Sequence, residues 1–329
     1  MKTKKPYFII IYGPTGVGKT DFSLDFAQTL GQAHVVNADL GQFYTPLTIG
    51  TAKPDWQSTP VEHHLFDVIN EPVNFSVQEY RRETLAIFDL LWGKNITPLL
   101  VGGSGFYIKS LLFPLCGFDD QLKTAHFRDE RYQHYSSEDL WKQLYEIDPD
   151  RAARVYPQDK YRICCALDIW HATGEKPSKF VPRYNPPASF LMIRLTRSRD
   201  DLYNRINQRT AVMIKSGWVD EVKTLMGTPW EQFLYKKKLI GYDDIIAFLK
   251  GDRYKNLDEL STAIAQKTRN YAKRQETFWG NLARSVERAS RTQCSYTASI
   301  RSINLTLSSV DLYIKELSEH VQTYYANNG

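Results

Sequence analysis

An apolar run, Tyr7 to Tyr12, breaks directly into Gly13-Pro14-Thr15-Gly16-Val17-Gly18-Lys19-Thr20, and this junction restricts the possible folds more than any other stretch of the chain. It reads as a buried strand turning into a helix whose first amides ring an anion. Glycines at the first and sixth positions let the backbone approach an oligophosphate, Lys19 adds a point charge, and the Thr20 hydroxyl is a ligand for Mg²⁺. Gly13, Thr15, Gly16, Gly18, Lys19 and Thr20 are therefore candidate phosphate contacts. The plainer alternative is a glycine-rich turn that only caps a helix. Neither reading says whether a phosphate is hydrolysed, transferred or discarded.

The unit then repeats. Asp21 to Leu30 reads as a helix closed by Gly31, and His34 to Ala38 as a buried strand delivering Asp39 at its carboxyl end. Ser76-Val77-Gln78-Glu79 is a capping box, opening a helix with Val77, Tyr80, Thr84, Ile87, Phe88 and Leu91 on its inner face. Pro98 to Val101 is a short strand running into Gly102-Gly103-Ser104-Gly105 and a further helix. Such repetition predicts an α/β fold, a P-loop NTPase-like parallel sheet wound with helices, with ligands beyond the carboxyl ends of the strands. Asp39 and Ser104 then share a rim with the phosphate loop. Residues 117–182 carry many charges and aromatics and no convincing strand, so they read as a helical insertion between core segments 1–116 and 183–329. Ser189 to Leu195 resumes the sheet, and from Asp200 onward the reading is mainly helical. The Ser- and Thr-rich stretch after Arg291 and the amphipathic segment Val310 to Val321 suggest no chemistry.

With 42% apolar residues, the 329-residue chain can bury a full core. No apolar run approaches the roughly 18–20 residues that span a bilayer, and the start of the chain is too short for a signal peptide, so a cytoplasmic protein is expected. Cys116, Cys164, Cys165 and Cys294 have neither zinc-site nor disulfide spacing and are expected as free thiols. The net charge of +5 is mild, but Lys267, Arg269, Lys273, Arg274, Arg284, Arg288 and Arg291 crowd one helical stretch. Lys267, Tyr271, Arg274 and Phe278 fall on one face, which suits a polyanion or, alternatively, a solvated helix whose rings pack inward.

Asp39 can hold Mg²⁺ or accept a proton, or merely cap the next turn. Gln42 can read a base edge or cap. Gly50-Thr51-Ala52-Lys53-Pro54 is a substrate loop or a surface turn. The Gly102 to Gly105 turn is a second anion position, with Ser104 supplying a hydroxyl. His63 and His64 are adjacent and point different ways, so the pair does not ligate one metal and a structural role is expected. Arg205 and Arg209, four apart on one helix, suit a diphosphate clamp or a solvated pair.

Together these words resemble the tRNA dimethylallyltransferase family of bacterial type. The match covers the loop Gly13 to Thr20; Asp39, Gln42 and Tyr44; Ile49 to Pro54; His63-His64-Leu65; Gly102 to Gly105; Gly241-Tyr242; and Tyr271-Ala272-Lys273-Arg274-Gln275 with Thr277. Leu40 departs from the family's Ser, Ser104 from its Thr, and Cys165 from its Arg. The resemblance implies that N6 of the adenosine 3′ to the anticodon displaces diphosphate from dimethylallyl diphosphate, with Asp39, Ser104 and Arg209 as catalytic residues. It implies Mg²⁺ on Thr20, and tRNA contacts from Gln42, Thr51, Lys53, Arg128, Tyr161, Arg162, Gly241, Tyr242, Lys273, Arg274 and Gln275. A monomer working on the anticodon stem-loop, away from membranes, is the corresponding expectation. The alternatives are a prenyltransferase for free adenine nucleotide, a nucleoside or metabolite kinase, and a non-catalytic RNA-binding copy.

Overall fold

The computed structural model describes residues 5–115, 131–292, 296–307 and 309–328. Strand β1 is Tyr7–Tyr12, with all six side chains buried. An unbroken apolar run suits a strand covered on both faces, and each large side chain removed from water contributes about 1.5–3 kcal/mol. The chain continues through α1 (Lys19–Leu30), β2 (Ala33–Asn37), β3 (His63–His64), α2 (Val77–Gly93), β4 (Thr97–Gly102) and α3 (Gly105–Leu112). Three helices follow, α4 (Ser137–Ile147), α5 (Pro149–Ala152) and α6 (Lys160–Thr173). Then come β5 (Ser189–Thr196), α7 (Arg199–Met213), α8 (Val219–Leu225), α9 (Pro229–Lys237), α10 (Tyr242–Leu249), α11 (Leu257–Thr292), β6 (Ala298–Asn304) and α12 (Val310–Asn328).

The six strands form one parallel sheet in the order β3-β2-β4-β1-β5-β6. Strand β1 lies between β4 and β5, with Ile9 opposite both Leu99 and Leu191. The expected capping box is present: the Ser76 amide donates to Glu79 Oε2 at 2.8 Å and the Glu79 amide to Ser76 Oγ at 3.2 Å. Such a cap is worth about 1 kcal/mol.

The stretch after Arg291 is more than a tail. Ala298–Asn304 pairs in parallel with β5, from Phe190 opposite Ala298 to Thr196 opposite Asn304. As an edge strand it buries only Ile303 deeply, so its sequence carries little apolar alternation and β6 escapes a reading by periodicity. Helix α12 buries Ile314, Leu317 and Val321, and Tyr324 stacks on Tyr7 with ring centroids 4.0 Å apart. The segment thus completes the sheet and one side of the core.

The chain divides into two compact units, residues 1–74, 84–108 and 186–329, and Phe75–Glu83 with Lys109–Asn185. The second holds α4, α5 and α6 around its own core of Leu140, Leu144, Ile163 and Leu167. Asp148, 1% exposed, accepts the Arg151 amide at 3.1 Å and the Ser178 amide at 2.6 Å, satisfying the turns between these helices. The unit is wider than 117–182 because its flanks pair: Arg183 N–H donates to Pro114 O and Asn185 N–H to Leu112 O, both at 3.0 Å. Among the described residues no helix is long and apolar enough to cross a membrane.

Candidate active site

The strand order puts β2, β4 and β1 side by side, so their carboxyl ends deliver Asp39, Ser104 and the Gly13–Thr20 loop to one rim. The Asp39 amide donates to Asn37 Oδ1 at 2.8 Å, and the Asn37 amide group donates to Leu65 O at 2.9 Å, which fixes where the strand end points. Asp39 also accepts the Gly41 N–H at 3.3 Å, capping the short turn Leu40–Phe43. The Ser104 hydroxyl accepts the Leu40 N–H at 2.9 Å. It is the backbone of Leu40 that Ser104 holds, so that contact does not depend on the residue at position 40.

Three charges share this rim. Lys19 Nζ donates to the carbonyls of Gly13 and Pro14 at 3.0 Å each. Burial pulls the Lys19 ammonium down to about 8, against the attraction of Asp39, and Arg209 pushes it further the same way. Burial raises Asp39 above the ordinary carboxylate value, opposed by Lys19, the Gly41 N–H and Arg209. Arg209 is likewise lowered by burial; it bonds the Thr15 hydroxyl, while Arg205 donates to Gly16 O at 3.1 Å. Two cations and one carboxylate, each half-buried, form a place where an arriving anion gains more than it would at an exposed surface, because the local dielectric is lowered.

The rim opens on a cavity of about 340 Å³ lined by Asp39, Thr51, Ser104, Arg209, Tyr242 and Arg274, among others. One wall turns on Trp218, which is 2% exposed. A Cβ at Gly50 would lie 2.0 Å from its Nε1, and one at Gly241 would lie 2.1 Å from its ring, so both motifs need glycine for close approach to the indole. Glu221 accepts the amides of Thr48, Ile49 and Gly50 at 2.9, 2.6 and 3.2 Å and the Tyr242 hydroxyl at 2.8 Å. It anchors the turn that precedes Pro54. Sequence reasoning missed both Trp218 and Glu221, which lie outside every recognisable word.

The residues grouped above as RNA contacts separate into two kinds. Thr51, Tyr242 and Arg274 line the cavity. Gln42, Lys53 and Gln275 instead turn inward as supports. Gln42 donates to the carbonyls of Thr51 and Ala52 at 3.2 and 3.3 Å. Lys53, its side chain 3% exposed, pairs with Asp67 and donates to Tyr44 O at 2.8 Å. Gln275, 6% exposed, accepts the Thr15 amide at 2.9 Å and donates to Gly103 O at 3.0 Å, tying the phosphate loop to the β4 turn. Membership of a motif does not reveal which way a polar side chain points.

On α11, Lys267, its side chain 41% exposed, pairs with buried Asp244 at 2.7 Å and Phe278 packs on Phe106 at 5.1 Å, so that part of the basic stripe is engaged within the protein. Lys273 and Arg274 are exposed, with Arg274 over the Tyr271 ring at 5.8 Å. In the second unit, Tyr161 is 63% exposed on α6, and Arg162 pairs with Asp159 at 3.2 Å. Arg128, Cys116 and Cys294 lie outside the described residues.

Residues 42–282 match the model of the IPP transferase family. The chain belongs to that family. A tRNA dimethylallyltransferase of Geobacter sulfurreducens is 37% identical over 282 residues, covering 84% of this chain and 89% of that protein. One of Alkaliphilus metalliredigens is 34% identical over 289 residues, covering 86% and 91%. The full-length tRNA isopentenylpyrophosphate transferase of Bacillus halodurans is 28% identical, with a TM-score of 0.61 over 98% of each chain. A eukaryotic dimethylallyltransferase acting on tRNA shares the fold at 21% identity, with a TM-score of 0.76 over 98% of this chain and 80% of that one. The IPP transferase match begins at Gln42, so the reading of the phosphate loop and Asp39 rests on their own geometry. Thr20, in the first turn of α1, and Asp39 carry hard oxygen donors, the kind that Mg²⁺ takes.

Proposed function

We propose that this protein transfers a dimethylallyl group from dimethylallyl diphosphate to N6 of the adenosine 3′-adjacent to the anticodon in tRNA, releasing diphosphate. The observation that carries this reading is the joining of Asp39 with Lys19 and Arg209 on one desolvated rim, in a chain of the IPP transferase family.

The amine N6 attacks C1 of the prenyl chain as the carbon–oxygen bond breaks. Asp39, kept partly out of water and raised by burial above the ordinary carboxylate value, takes the N6 proton. Negative charge develops on the departing diphosphate, where Lys19, Arg209 and amides of the loop would exchange their present loop contacts for the phosphate oxygens and stabilise that charge. Thr20 would hold Mg²⁺, which when bound would help neutralise that leaving group. Ser104, with Leu40 N–H already donating to its oxygen, is left to donate its own hydrogen to the diphosphate or its bridging oxygen. The adenine has to leave the anticodon-loop stack to enter a cavity of this size, so RNA must also be gripped outside it, by Lys273 and exposed residues such as Tyr161 of the second unit, with Arg274 at the cavity wall. The protein works as a monomer in the cytoplasm, free of the membrane.

The test is incubation of the purified protein with Mg²⁺, dimethylallyl diphosphate and tRNA whose anticodon is followed by adenosines, with the digested nucleosides read by mass spectrometry. One prenyl group per tRNA, at that adenosine and without ATP, is expected. Phosphorylation of a nucleoside by ATP with no prenyl transfer would replace this reading with a kinase; transfer to free adenine nucleotide alone would replace its acceptor.

A further inference from the structure

At the edge of the sheet, three metal-ligating side chains of the first unit converge. In the parallel register Val35 faces His63 and Val36 faces His64, which places His34 opposite Glu62. Strand alternation then puts His34, Glu62 and His64 on one face and sends His63 to the other. His63 is accordingly occupied elsewhere, its Nδ1 2.7 Å from Val61 O and 3.2 Å from the Thr59 hydroxyl.

On the shared face, His34 Nδ1 lies 3.1 Å from His64 Nε2. The two carboxylate oxygens of Glu62 divide between the same two nitrogens, Oε2 at 3.5 Å from His34 and Oε1 at 3.8 Å from His64. One proton shared between the rings accounts for the shortest of these distances and leaves the carboxylate's position unexplained. A single ion accounts for all three. Bonds of about 2.0–2.1 Å in a tetrahedral site hold their ligand atoms roughly 3.3 Å apart, close to the separations observed.

We propose that His34, Glu62 and His64 form a binding site for one divalent transition-metal ion of the Zn²⁺ class, which clamps the two-residue strand β3 to β2. Two imidazoles and a carboxylate select that class over Mg²⁺ and Ca²⁺, which take oxygen ligands. The side chains of His34 and His64 are 18% and 16% exposed and that of Glu62 is 65% exposed, so an ion can enter from solvent and keep water in its fourth position. The clamp would act on the segment that continues through Leu65, which receives the Asn37 amide, to Asp67, the partner of Lys53 and Trp56. The proposal is independent of the transfer reaction and stands whatever group the rim transfers.

The experiment is calorimetric titration of the untagged, chelator-stripped full chain with ZnCl₂, in excess Mg²⁺ so that hard-oxygen sites are already filled. The wild type should bind one equivalent saturably and gain thermal stability. His34→Gln and Glu62→Gln should each weaken binding by at least about tenfold, the loss expected even for an outer partner of a ligand, with unchanged circular dichroism. His171→Gln, at an exposed histidine in the second unit, should bind as the wild type does. The Glu62 variant alters an exposed side chain and so remains informative if the His34 variant folds poorly. Absence of saturable binding in the wild type, or wild-type binding by a folded Glu62→Gln or His34→Gln protein, would overturn the site.

Discussion

The rim at the carboxyl ends of β1, β2 and β4 and the outer face of α11 use the same cations under opposite conditions. Lys19 and Arg209 are half-buried, and burial lowers both while each feels Asp39. Lys273 and Arg274 stand exposed on the long helix. A charge in low dielectric acts strongly on one nearby group, whereas a solvated charge acts weakly, over a Debye length, and mainly on a polyanion. A basic residue's task follows from its solvation more than from its place in a motif.

The largest effect is expected at the carboxylate that the rim surrounds. Asp39→Asn should slow single-turnover prenyl transfer by about 10²- to 10⁴-fold, the usual size of a lost general base, with tRNA affinity nearly unchanged. Rapid-quench assays would measure it; a near wild-type rate would return Asp39 to the role of a turn cap.

Next is the support behind the rim. Gln275→Ala would leave the Thr15 N–H and Gly103 O without their partner, and should cost about 1–3 kcal/mol in urea unfolding. An unaltered midpoint would mean that water replaces the amide, and that the phosphate loop is not held by α11.

The smallest of these effects is a pH dependence. Lys19 is charged below about 8 in the folded protein, against an ordinary value of 10.5. Binding of inorganic diphosphate should therefore weaken as pH rises through about 8, by up to roughly tenfold per unit, and Lys19→Arg should remove that break. The linked stability has the opposite sign: between these two values the unfolded chain binds more protons, so stability rises with pH. A diphosphate affinity without a break near 8 would place Lys19 in contact with water.

Much of this contrast can be read from the chain itself. The Tyr7–Tyr12 run, the glycine loop and the repeated strand–helix units dictate a parallel sheet with Asp39 and Ser104 on the loop's rim, because buried strands and phosphate loops have few ways to be built. Other features depend on tertiary direction. Gln42, Lys53 and Gln275 are polar words in a family motif, and nothing in their spacing says that their polar atoms point inward. Trp218 and Glu221 lie in no motif; their importance arises only when the fold brings Gly50 and Gly241 against one indole and three amides against one carboxylate. Strand β6 is nearly silent because an edge strand buries little, and the convergence of His34 on Glu62 and His64 depends on a strand register that spacing alone does not supply.

The claim that buried and solvated cations divide the work is tested most directly by a double titration, with dimethylallyl diphosphate and with tRNA, each across several salt concentrations. Lys273→Ala, at an exposed position that does not line the cavity, should weaken tRNA binding and flatten its salt dependence by about one unit of slope, leaving dimethylallyl diphosphate affinity unchanged. Lys19→Ala should do the reverse. If the helix variant binds tRNA with wild-type affinity and slope, or if Lys19→Ala leaves diphosphate binding intact, the division drawn here between rim and face is wrong.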